Sequence, residues 1–191
     1  MIEAFAASTL VVALAEIGDK TMLLAIVLAA RLRAPWQILS GILVATLANH
    51  ALAALVGREV AGLVEADWFR LVVALGFIAM AGWILIPDKL GEDEEGFTRR
   101  GSAFLTTLVA FFIVEMGDKT QVATVALGAQ YEAVLVVAAG TTLGMMIANA
   151  PAVFLGEALV RRISLRATRI AAALLFLVLG LWQLARIAGW P

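Results

Sequence analysis

The stretch AEIGDKT occupies residues 15–21, and VEMGDKT returns at residues 114–120. Each copy sets a glutamate, an aspartate and a lysine inside long apolar sequence. An Asp or Lys at the centre of a membrane helix costs about 2.5–3.5 kcal/mol on insertion scales. Three such groups in one helix cost roughly 8–10 kcal/mol before pairing offsets part of it. A charge set that expensive, placed twice, belongs against a protein interior or a wet cavity.

The surroundings say that the solvent is lipid. Of 191 residues, 63% are hydrophobic, well above the usual share of about half, and the mean hydropathy is +0.98. The net charge of -1 offers no basis for a nucleic-acid partner. The absence of cysteine excludes disulfides, thiolate metal sites and redox thiols. His50 is the single histidine. Any bound metal is therefore held mainly by oxygen, which suits Mg2+, Ca2+ or Mn2+. The first charged side chain is Glu3, and the apolar run continues past the first charged cluster. A signal peptide would open with positive charge, so this reads as a retained membrane helix.

About 20 apolar residues cross a bilayer as a helix. Runs of that kind cover roughly 4–30, 36–57, 68–87, 102–130, 133–158 and 168–189. A shift of 99 pairs Glu16 with Glu115, Asp19 with Asp118, Lys20 with Lys119, Arg70 with Arg169, Phe77 with Phe176 and Trp83 with Trp182. Asn49 and Asn149 pair at a shift of 100. The expected fold is an all-α polytopic membrane protein whose six transmembrane helices form two three-helix repeats. An odd number of spans per repeat inverts the second copy, a device that places a transport site between halves. Residues 1–87 form the first repeat, 88–101 an acidic cytoplasmic linker and 102–191 the second repeat, within one membrane domain.

Loop arginines and lysines set the orientation. Arg31, Arg33, Lys89, Arg99, Arg100, Arg161, Arg162, Arg166 and Arg169 gather on one side; Arg58, Arg70 and Arg186 gather on the other. The first group marks the cytoplasm, so both termini are expected outside. Trp36, Trp68 and Trp190 read as interfacial anchors.

In a continuous helix Glu16 and Asp19 share a face, and Lys20 lies within reach of Glu16. If the copies meet, the four carboxylates of Glu16, Asp19, Glu115 and Asp118 face the two ammonium groups of Lys20 and Lys119. The sum is -2 (four negative, two positive), which balances one divalent cation. Hard divalent ions take six or more oxygens. Thr21, Asn49, Thr120, Gln121 and Asn149 are further candidate ligands or supports. Gly18 and Gly117 would admit a close backbone or a hydrated ion. The lysines either balance charge or gate. His50 reads as a packed or pore-side residue, Gly140-x-x-x-Gly144 as a close-packing face, and Pro151 as a bend. No permanently bound cofactor is expected; the partners are the bilayer, a divalent cation and protons. A bare structural ion-pair scaffold and an intramembrane aspartyl protease are the alternatives of other classes.

The motif Glu-x-Gly-Asp-Lys-Thr, present as EIGDKT and EMGDKT, resembles the signature of uncharacterised protein family 0016. That family contains the Golgi calcium/manganese transporters and the small bacterial manganese exporters. The resemblance covers essentially the whole chain. It implies a cation/proton antiporter moving Mn2+, with Ca2+ or Mg2+ as alternatives, in which Glu16, Asp19, Glu115 and Asp118 bind the ion. It also implies a bacterial plasma-membrane location.

Overall fold

The computed structural model describes residues 1–63, 67–87, 101–156 and 164–189. The acidic stretch of the expected linker lies outside the described residues, as do Lys89, Arg99, Arg100, Arg161, Arg162 and Trp190. The described residues form eight helices: α1 (Ile2–Glu16), α2 (Lys20–Leu32), α3 (Pro35–Leu63), α4 (Asp67–Trp83), α5 (Ala103–Glu115), α6 (Lys119–Tyr131), α7 (Val134–Leu155) and α8 (Leu165–Ile187). Helices α3, α7 and α8 are long and apolar enough to cross a membrane; α4 and α5 are shorter apolar helices.

The motif runs are not continuous helices. The first breaks between α1 and α2 at Ile17–Gly18–Asp19, and the second between α5 and α6 at Met116–Gly117–Asp118. Gly18 and Gly117 hold φ of +87° and +78°, where a side chain would be strained. Ile17 and Met116 are extended, and Asp19 and Asp118 are extended N-cap residues of the following helix. A left-handed glycine that ends one helix, followed by an aspartate that starts the next, is a stop and a restart in two residues. The expectation that Glu16 and Asp19 share a helix face is thereby corrected: the break, not the 3.6-residue period, sets their relation. Broken backbone at membrane depth is tolerated only where protein buries it or it lines a cavity.

Positions 99 apart make matching contacts. A Cβ on Gly41 of α3 would lie 2.8 Å from the Phe104 carbonyl oxygen and from Thr107 Cβ of α5. One on Gly140 of α7 would lie 2.7 Å from the Phe5 carbonyl oxygen and 2.9 Å from Ser8 Cβ of α1. A Cβ on Gly144 would lie 2.7 Å from the Thr9 carbonyl oxygen, so the Gly140/Gly144 face does bring two backbones together. In lipid such close packing, rather than hydrophobic transfer, holds helices to one another. The extensive interfaces join the two halves of the chain: α1 with α7, α3 with α5, α6 and α7, and α4 with α8. Helix α7 continues through Pro151.

Two apolar clusters flank the helix breaks. One draws on α2, α3, α5 and α7 through Leu24, Leu28, Ile42, Phe111 and Val153. The other draws on α1, α4, α6 and α8 through Val11, Phe77, Leu127 and Phe176.

Candidate metal centre

Each break leaves two helix ends facing one another. The last carbonyls of α1 and α5 lack intrahelical donors, and those ends carry partial negative charge that favours a cation. Asp19 and Asp118 occupy N-cap positions, where a carboxylate normally accepts a backbone N–H of its own helix. Neither side chain does so. Both are turned toward other groups.

The copies meet. Glu16, Asp19 and Asp118 each offer a carboxylate oxygen, and the three atoms lie within 4.8 Å of one another. Two come from the first copy and one from the second. Lys20 reaches across to Asp118 of the second copy, Nζ to Oδ1 at 3.2 Å. Glu115 stands beside this group and is not part of it. Its Oε1 accepts a hydrogen bond from Thr120 Oγ1 and lies 3.4 Å from His50 Nε2. Glu16 and Glu115 are 0% and 1% exposed. Glu16 Oε1 and Glu115 Oε2 find no hydrogen-bond partner among the described residues. Buried carboxylate oxygens without donors are costly, and a cation or a proton would satisfy both.

The supporting residues divide. Thr21 donates to Glu16 Oε2 and Thr120 to Glu115, so each motif threonine holds its own glutamate rather than its helix backbone. Thr120 Oγ1 also lies 3.3 Å from Asp118 Oδ2. Gln121 accepts from the Gly117 N–H at 2.6 Å and donates to Asn49 Oδ1 at 3.0 Å, while Asn49 donates to the Phe112 carbonyl at 3.1 Å. That chain ties the second break to α3. Asn149 donates to Met145 of its own helix at 3.0 Å, and its Oδ1 has no partner among the described residues. Lys119 donates to the Ile86 carbonyl at 2.9 Å. A Cβ added at Gly117 would meet nothing within 4 Å among the described residues, so backbone conformation, not a close neighbour, requires glycine there.

Two contributors are hard to read from the sequence. His50 touches a motif acid, and its only signal there is its place beside Asn49 in the second span. Arg169, a loop charge by position, lines a pocket with Asp19, Lys119, Ile84 and Ile86.

The description "Divalent cation/proton antiporter GDT1" belongs to the family that matches residues 4–92 and 103–189. The chain is 50% identical over 177 residues to a Vibrio cholerae protein named "Putative manganese exporter", covering 92% of this chain and 88% of that one. It is 30% identical over 202 residues to GDT1-like protein 4 of Oryza sativa, covering 93% of this chain and 71% of the relative. A GDT1-like protein of Synechocystis is also 30% identical, with 92% and 94% covered. No solved structure matches. The protein is a multi-pass membrane protein, and its substrates are divalent cations and protons. The chain belongs to the GDT1 family of divalent cation/proton antiporters.

Proposed function

We propose that the protein exports Mn2+ from the cytoplasm of a bacterium in exchange for protons, binding the ion at Glu16, Asp19, Asp118 and Glu115. The observation that carries this reading is the approach of three carboxylate oxygens from both motif copies to within 4.8 Å of one another. The name of the 50% identical Vibrio cholerae relative supports Mn2+ as the ion. An all-oxygen site accepts Ca2+ or Mg2+ as well, so these are the competing substrates.

In this reading the chain crosses the plasma membrane six times, with both termini outside. The broken helices α1–α2 and α5–α6 are the first and fourth spans. Residues 1–87 and 102–191 are inverted three-helix repeats in one domain, which the matching glycine contacts at Gly41 and Gly140 support. Protons and the cation compete for the same carboxylate oxygens. Arrival of the ion expels protons, and protons arriving from outside expel the ion. Lys20 and Lys119 keep the loaded and unloaded charge within bounds, and Thr21 and Thr120 aim the glutamates.

The test is flux into proteoliposomes with Mn2+, Ca2+ and Mg2+ side by side, with a pH dye reporting protons. Mn2+ influx with counter-moving protons is expected, lost in Glu16→Gln and in Asp118→Asn. Equal flux in both variants would remove the site assignment; faster Ca2+ than Mn2+ would change the substrate.

A further inference from the structure

The two halves repeat in sequence, yet α4 and α8 are placed unequally. The shift of 99 carries α1 onto α5, α2 onto α6 and α4 onto α8. Helices α4 and α8 pack on each other, through Phe77 and Phe176 with ring centroids 6.2 Å apart. A Cβ on Gly180 would lie 2.7 Å from Ile78 Cγ1 and 2.9 Å from the Ala74 carbonyl oxygen. Beyond that pair, α4 packs on α6 and α8 on α1. The repeat-related interfaces would be α8 on α2 and α4 on α5, and neither is extensive among the described residues.

Single contacts show the same offset. Gln130 of α6 donates to Gln183 of α8 at 2.9 Å. Their counterparts are Arg31 and Ile84. Arg31 is exposed, and Ile84 lines the pocket at Asp19. Twelve residues of α2, about 18 Å at helical rise, separate Asp19 from Arg31. A third sign comes from glycines. Gly57 and Gly128 seal α3 against α6: a Cβ on Gly57 would overlap the Val125 carbonyl oxygen, and one on Gly128 that of Ala54. The counterpart of Gly57 is Gly156, next to the end of α7, which has nothing within 4 Å among the described residues.

We propose that α4 and α8 form one body that slides along the remaining helices, so that Asp19 is reached from one side of the membrane in this structure and Asp118 from the other side after the slide. This rests on the ion site and the inverted topology proposed above. In the present state α4 and α8 cover α1 and α6, the halves that point outward in the proposed orientation. Their cytoplasmic ends, at Ile84, Ile86 and Arg169, border the pocket at Asp19. In the other state they cover α2 and α5, and Gln183, Ala185 and Arg70 border Asp118. Lys20 then donates to the Ala185 carbonyl, as Lys119 now donates to that of Ile86. The slide breaks the Gln130–Gln183 hydrogen bond; the other contacts of the pair with α1 and α6 are largely apolar, and lipid is as apolar as leucine. The exposed faces of α4 and α8 carry Leu75, Leu174, Val178 and Leu181, which lipid accepts at any depth. Such shear of a packed helix pair is an established form of conformational change. Rocking of one sequence half against the other is disfavoured, because the extensive interfaces run between the halves.

The chain has no cysteine, so introduced pairs report cleanly. Gln130→Cys with Gln183→Cys, oxidised in proteoliposomes, is expected to cut Mn2+ flux more than tenfold, with recovery on adding reductant. Arg31→Cys with Ile84→Cys is expected to bridge only when an ion and a proton gradient drive turnover. A bridged 130/183 variant that still transports at its reduced rate overturns the slide. So does a 31/84 variant that transports when reduced but never bridges during turnover. Absence of any proton-coupled divalent flux in the cysteine-free parent would instead overturn the proposed function.

Discussion

Each motif glutamate has one oxygen held by the threonine five residues on and the other bare among the described residues. A carboxylate fixed at one oxygen presents the other without rotamer search. Thr120→Val is therefore expected to weaken Mn2+ binding by about ten- to a hundred-fold, since losing a hydrogen bond to a charged group is worth about 1.5–3 kcal/mol. Isothermal titration in detergent reads this; unchanged affinity would mean that the hydroxyl does not orient Glu115. His50 contributes a longer contact to the same carboxylate, 3.4 Å against the threonine's short one. His50→Ala is expected to lower flux roughly fivefold, equivalent to about 1 kcal/mol, with His50→Gln retaining more of it. At the shift of 99 that pairs Gly41 with Gly140 and Gly57 with Gly156 on the same helix, His50 answers to Asn149, Asn49 to Ala148 and Gln121 to Met22. The Gln121 link between Gly117 and Asn49 is thus peculiar to the second motif.

Helix breaks decide what the elements can do. A continuous helix would seal its backbone and turn Asp19 and Asp118 along its own surface. Two half-helices instead bring two helix ends and N-cap carboxylates that do not cap to one place. Gly117→Ala is expected to cost about 1–2 kcal/mol through positive φ alone. Gly18→Ala should cost at least as much, because its Cβ also meets Leu165 Cδ2 at 2.7 Å. Thermal unfolding in detergent measures both, and a neutral Gly117→Ala would mean that the break is not imposed by glycine. At the α3–α6 seam, Gly128→Ala would push a Cβ into the Ala54 carbonyl oxygen and should lower the unfolding midpoint. Gly76→Ala on α4, with nothing within 4 Å among the described residues, should be neutral or raise stability by up to about 1 kcal/mol.

At the scale of the molecule, the halves complete one another. Because α1 lies on α7 and α3 on α5 and α6, neither half buries its faces alone. Residues 1–87 and 102–191 expressed separately are expected to be degraded, whereas co-expression should allow them to co-purify. Stable accumulation of either half by itself would count against the interleaved packing. The site inherits this dependence, since two carboxylates of its closest group come from one half and the third from the other.

The sequence alone determined the lipid environment, the repeat, the absence of thiolate chemistry and the family, because composition, spacing and identity are properties of the chain in one dimension. It also held the helix break in plain view as Gly-Asp, but a hydrophobic run of transmembrane length masks a stop and a restart inside it. Only the tertiary structure decided that Lys20 pairs with Asp118, that Glu115 stands beside the three-acid group and touches His50, and that α4 and α8 pack unequally on the two halves. Those facts follow from which groups come within a few ångströms across the two halves. If the second copy is inverted as proposed, two equivalent placements of α4 and α8 exist, and the repeated sequence favours neither.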